Sequence, residues 1–141
     1  MTKRIIIGSD HGGYNLKLDI IGHLKSLDYE IYDMGCFTAE SCDYPIIAQN
    51  VAKEVLRSSC PGILVCGTGI GMSIAANRFD GIRASLCTDT YAAKMTRMHN
   101  NSNILCLGER VIGKGLALEI VDTWLNTDFE GERHQRRIDM I

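Results

Sequence analysis

A chain of 141 residues, 45% hydrophobic and 23% charged, suits one globular domain that folds without a disulfide or metal staple. Its formal net charge of −2 excludes general attraction to nucleic acid or to an anionic membrane, so any anion binding has to be local. Six cysteines with no C-x-x-C pair predict reduced thiols; His11, His23, His99 and His134 lie far apart with no zinc-type spacing to them, so no metal is expected.

The opening "MTKRIIIGSD" has an apolar run too short for a signal-peptide core, and no stretch approaches transmembrane length, so a cytoplasmic protein is expected. Arg4 to Asp10 predicts a buried strand, and "NLKLDIIGHLKSL" puts Leu16, Ile20, Leu24 and Leu27 on one helical stripe, with His23 solvated on a helix face. "YEIYDMG" predicts a second strand. "YPIIAQNVAKEVLRS" predicts a helix with Pro45 at its opening and Ile47, Val51 and Val55 spaced by four. "GILVCG" predicts a third strand, running through a glycine loop into a helix from about Gly71 to Asn77. "GIRASLC" with "DTYAAKMTRMHN" and "NILCLG" with "GKGLALEIVDTWLN" complete the alternation, and the charged tail "EGERHQRRIDMI" lies outside it. Regular strand–helix alternation implies one α/β domain over residues 1–141: a three-layer, doubly wound, mostly parallel five-stranded Rossmann-like sheet with a C-terminal helical tail. Ligands of such sheets sit beyond the carboxyl ends of the strands, so "GSDHGG", "GCFTAESCDYP", "CGTGIGMS", "CTDT" and "CLGERVIG" should gather on one rim.

The glycine loop is not a dinucleotide fingerprint, because Met72 stands where G-x-G-x-x-G needs its last glycine; Asp89 only imitates a ribose-binding acid. A P-loop fails for want of G-K-[ST]. What survives is a set of backbone N–H groups around Gly67, Gly69 and Gly71 able to hold a negative oxygen, or simply a tight strand-to-helix turn. Cys66 favours the first reading, since a thiol at a strand end beside such N–H groups is a better base or nucleophile than a packed thiol. Cys87 and Cys106 read as core, and no stronger role attaches to Cys36, Cys42 or Cys60. Asp10 caps the first helix or joins Cys66 on the rim; His99 and Asn100 close a helix C-terminus or serve a site. Arg133 and Arg137 share a helical face, and with Arg110 they suit a phosphate clamp, which favours a small anionic ligand over a polymer.

The blocks "GSDHGGYNLK", "CDYP", "VCGTGIGMSIAANR", "HNNSNILCLGERVIG" and "ERHQRR", in this order, resemble the ribose-5-phosphate isomerase type B family, which includes galactose- and allose-phosphate isomerases. The resemblance runs from the first strand to the tail; Gly12-Gly13, where alanine-glycine is common, and Arg78, where lysine is common, are its small departures. It implies an aldose–ketose isomerase of sugar phosphates in the pentose phosphate pathway, working through an enediolate without metal or organic cofactor. By the same resemblance Cys66 is the base, and Gly67, Gly69, Ile70 and Gly71 supply amides to the enediolate oxygen with Ser73 alongside. Thr68 and His99 open the sugar ring, and Asp10, Tyr44 and Asn100 hold hydroxyls. His11, Arg110, Arg133, His134 and Arg137 hold phosphate. It implies a homodimer or dimer of dimers with sites shared between subunits. Having Cys66, Thr68, His99 and the arginines in one chain favours ribose 5-phosphate over allose or galactose 6-phosphate; a non-catalytic phosphosugar-binding module would have no use for Cys66 and His99.

Overall fold

A computed structural model describes residues 3–141. Five parallel strands, β1 (Arg4–Ser9), β2 (Glu30–Asp33), β3 (Gly62–Cys66), β4 (Ala84–Leu86) and β5 (Ile104–Gly108), form one sheet in the order β2-β1-β3-β5-β4. The helices are α1 (Tyr14–Ser26), α2 (Tyr44–Ser58), α3 (Ile70–Ala76), α4 (Thr90–Asn100), α5 (Lys114–Leu125) and α6 (Arg133–Ile138). The chain turns back on itself after β2 and again after β4. Right-handed crossovers therefore put α1 and α4 on one face of the sheet and α2 and α3 on the other, and α5, after the last strand, packs beside α1 and α4. Strand side chains alternate accordingly: Ile5, Ile7, Ile63, Val65, Leu105 and Leu107 enter the first core, and Ile6, Leu64, Cys66, Ile104 and Cys106 the second. No helix among the described residues is long and apolar enough to cross a membrane.

Every predicted strand and helix of the alternation forms: α2 has the expected bounds, α1 and α3 begin and end one residue early, and the others have trimmed ends. Asp10 leaves β1 to accept the N–H of Gly13 at 3.2 Å, capping the 3₁₀ turn His11–Gly13 that leads into α1. The seven-residue run "GIRASLC" yields a strand of only three residues, because β4 is an edge strand that meets one neighbour. Leu27 departs from the expected stripe: α1 ends at Ser26, and Leu27, past the last helical turn, is exposed. His23 is likewise not simply solvated, since its Nε2 lies 2.7 Å from Asp122 of α5. Cys87 and Cys106 are core residues as expected, and burial pushes the Cys87 thiol up to about 11 and Cys106 further still.

Gly13 fixes how closely α1 approaches the sheet. A Cβ there would stand 2.5 Å from the carbonyl carbon and oxygen of Val65, backbone that cannot step aside. Gly13→Ala should lower unfolding stability by roughly 1–3 kcal/mol, as overpacking does. Gly22, inside the same helix with open space around it, gives the opposite sign: Gly22→Ala should gain roughly 0.5–1 kcal/mol. Urea midpoints of the two variants, read side by side, check both.

Candidate active site

The sheet's first reversal leaves a crevice where β1 and β3 lie side by side and their chains leave in opposite directions, the place where open α/β sheets bind ligands. Asp10 follows β1 there, and Cys66 ends β3. The Cys66 thiol is buried, 6% exposed, and its Sγ accepts the N–H of Gly69 at 3.0 Å. Gly69 needs its freedom, because its φ of +80° turns the chain back over the thiol. A Cβ at that position would also strike Leu86 and the Leu107 carbonyl.

The loop is held from both sides. The N–H groups of Glu109 and Arg110 donate to the carbonyls of Cys66 at 2.9 Å and Gly67 at 3.0 Å, and Gly108 packs its backbone on that of Thr68. Glu109, which the sequence did not single out, reaches across to α1, its Oε1 accepting the N–H of Leu16 at 2.6 Å. Its only signal is its place in "CLGERVIG", directly after β5. Held this way, the loop keeps a run of donors unused. Among the described residues the N–H groups of Gly67, Thr68, Gly71 and Met72 have no acceptor, while Ile70 gives its own to Thr68 Oγ1 at 3.3 Å. Ser73 Oγ donates to the Ile70 carbonyl and steadies the first turn of α3. A thiol beside several unpaired N–H groups is equipped to move a proton where negative charge develops on a neighbouring oxygen.

Other predicted residues border this loop. The Arg110 guanidinium lies along Gly67, the Tyr44 ring lies where a side chain at Gly71 would go, and a Cβ at Gly12 would stand 3.2 Å from the Gly67 nitrogen. His11 Nδ1 accepts the N–H of Cys42 at 3.3 Å. A neutral His11 ring therefore carries its proton on Nε2, which is left to donate elsewhere.

Five predicted residues are not on this rim. Arg83, just before β4, donates to the carbonyls of Asn100 and Asn101 at 2.9–3.2 Å, and the Asn103 carbonyl receives the N–H of Gly62 at the start of β3. Asn100 thus lies at the amino ends of the strands. Cys66 stands at the far end of the five-residue strand β3, about 13 Å along the sheet. His99 is beside Asn100, and α6 packs on α4, which carries Arg133, His134 and Arg137 to the same end. The expected meeting of Arg110 with the tail arginines does not occur within one chain, because the end of α4 and the α6 packed on α4 lie at the amino ends of the strands, opposite the loop after β5.

At that end His99 and His134, distant in sequence, stack with ring centroids 4.3 Å apart and planes 19° from parallel. With Glu130 they bring three potential ligand atoms within 4.8 Å of one another. Stacked rings, however, hold their in-plane lone pairs in parallel planes rather than aiming them at one centre. Burial, then the nearby charges of Arg133 and His99, hold the His134 imidazole below its ordinary value, with Glu130 partly opposing them. Arg133 and Arg137 are exposed.

A profile of the family described as Ribose/Galactose Isomerase matches residues 5–141. Ribose-5-phosphate isomerase B of Escherichia coli is 47% identical over 140 residues, covering 99% of this chain and 94% of that protein. Among solved structures, that of ribose-5-phosphate isomerase B from Clostridium thermocellum superposes with a TM-score of 0.96 at 54% identity, covering 97% of this chain and 93% of the other. That of the Mycoplasma genitalium enzyme with bound ribulose-5-phosphate gives 0.95 at 42% identity, covering 99% and 94%.

Proposed function

The chain belongs to the ribose/galactose isomerase family, and on that basis we propose that it interconverts D-ribose 5-phosphate and D-ribulose 5-phosphate in the cytoplasm, as a step of the pentose phosphate pathway. The observation that carries this reading is the Cys66–Met72 loop, a buried thiol flanked by four N–H groups without acceptors. Cys66 removes the proton from C2 of the open-chain aldose and returns it to C1. The enediolate oxygen formed between these steps takes the loop N–H groups, each such donor being worth ~2.7–4 kcal/mol. Thr68 and His99 open the furanose ring; Asp10, Tyr44 and Asn100 hold hydroxyls; His11, Arg110, Arg133, His134 and Arg137 serve the phosphate end. No step in this scheme calls for a metal or an organic cofactor.

The scheme needs a second copy of the chain. Cys66 and His99 lie at opposite ends of one sheet, so the His99–Asn100–α6 group completes the site of a partner rather than its own. Ile70 and Ile74, exposed beside the loop on α3, offer apolar surface for that contact.

Assaying ribose 5-phosphate, allose 6-phosphate and galactose 6-phosphate side by side tests the substrate. The expected order of kcat/KM has ribose 5-phosphate first, and a higher value for either hexose phosphate overturns it. Arg137→Ala should raise KM for ribose 5-phosphate roughly 10–100-fold, the range for losing a charge-assisted hydrogen bond of ~1.5–3 kcal/mol. An unchanged KM removes Arg137 from the site.

A further inference from the structure

Arg83 has no part in the mechanism above, yet it holds the turn that carries two residues of the proposed site. It stands just before β4, and its own backbone is fixed. Its N–H donates to Asn103 Oδ1 at 2.8 Å, and its carbonyl accepts the N–H of Asn103 at 3.0 Å. At the next residue, the Ala84 N–H donates to Asn77 Oδ1 at 2.8 Å and the Ala84 carbonyl accepts from Asn77 Nδ2 at 2.9 Å. From this base the guanidinium reaches across to the end of α4. Nε donates to the carbonyls of Asn100 at 2.9 Å and Asn101 at 3.2 Å, and Nη2 to that of Asn101 at 3.0 Å. Those carbonyls belong to the last residue of α4 and its cap, which the helix itself leaves without partners. Asn101 is left-handed, with a φ of +46°, and ends the helix directly after His99 and Asn100. Among the described residues Arg83 forms no ion pair, so its planar fork is matched to the two carbonyls and not to a carboxylate. One turn earlier in α4, Thr96 is tied to β4 through Ser85 Oγ.

We propose that Arg83 is a positioning residue for His99 and Asn100, and that it acts in the active site of the partner subunit and not in that of its own chain. This role rests on the isomerase reading above, in which His99 and Asn100 serve the partner's Cys66. Arg83 touches no substrate itself. Without its fork the last turn of α4 keeps its helical bonds but loses its tie to the residue before β4, and His99 and Asn100 shift with it. A ring-opening group displaced by about 1 Å slows turnover by up to about 10²-fold.

Arg83→Ala should lower kcat for ribose 5-phosphate roughly 10–100-fold. Arg83→Lys, which keeps a donor but not the fork, should lose less, and it replaces the alanine variant in every test below if that variant does not fold. Subunit mixing separates positioning from damage to the fold. In a mixed dimer with Cys66→Ala, the Arg83→Ala chain supplies its thiol to a site whose His99 comes from the chain with Arg83 intact. Random pairing makes half the dimers mixed, each with one good site, so activity should return to about a quarter of the wild-type rate. Mixed with His99→Asn, no site joins a thiol to a well-placed His99, and no recovery is expected. Recovery with His99→Asn, or with neither variant, overturns the proposal: the first puts the effect in Arg83's own chain and the second makes it a general defect. Histidine ring spectra give a reading independent of turnover. Arg83→Ala should shift the resonances of the stacked His99 and His134 rings and leave those of His11 and His23, and four unchanged rings overturn the role. If Cys66→Ala and His99→Asn do not complement each other, the shared site is lost, while a shift confined to the stacked rings still assigns their placing to Arg83.

Discussion

Cys66→Ala is expected to lower kcat by roughly 10²–10⁴-fold, the contribution of a positioned general base, while ribose 5-phosphate still binds. Alanine removes only the sulfur. The carbonyls of residues 66 and 67 keep their bonds to the N–H groups of Glu109 and Arg110, and in the proposed scheme the phosphate and hydroxyl groups are held by other residues. Cys66→Ser restores an oxygen for the Gly69 N–H to meet but supplies a much weaker base, so it separates loop geometry from chemistry. Steady-state turnover and calorimetric binding of ribose 5-phosphate check both variants. Lost binding with intact turnover would remove Cys66 from the role of base.

The second expected result is recovery of activity from two defective proteins. Cys66→Ala and His99→Asn, each slowed about 10²-fold or more alone, should regain activity when their subunits are mixed and exchanged. A mixed dimer has one site with both residues intact and one with neither. Random pairing makes half the dimers mixed, so the plateau is about a quarter of the wild-type rate. A mixture no faster than its components would mean that Cys66 and His99 do not meet across subunits. Arg137→Ala in place of His99→Asn should complement in the same way, read through KM.

Much of this arrangement was legible in the residues. Apolar runs such as "RIIIGS" and "GILVC" gave the strands because a parallel strand buried on both faces needs an unbroken apolar sequence. "CGTGIG" gave the loop because a sharp turn and close backbone approach demand glycine. What periodicity does not encode is which strand neighbours which, or at which end of its helix a residue lies in space. The placing of β4 outside β5 and the separation of His99 from Cys66 therefore emerged only from the fold. Leu27 went astray by one residue past a helix end, where helical periodicity no longer applies. Glu109 showed only as a residue placed directly after β5; its role could not be read, because its partner is a backbone N–H ninety-three positions away.

The loop that carries Cys66 is tied by residues 108 to 110, about forty positions further along the chain. During synthesis β3 therefore emerges with one edge unpaired and its thiol uncovered, and it waits for α3, β4 and α4 before β5 can seat beside it. A nascent chain ending anywhere before Arg110 holds the Cys66 thiol without the backbone bonds that fix its loop. The central strand keeps an open edge until β5, the last strand made, seats between it and β4, and the order of translation sets how long that exposure lasts.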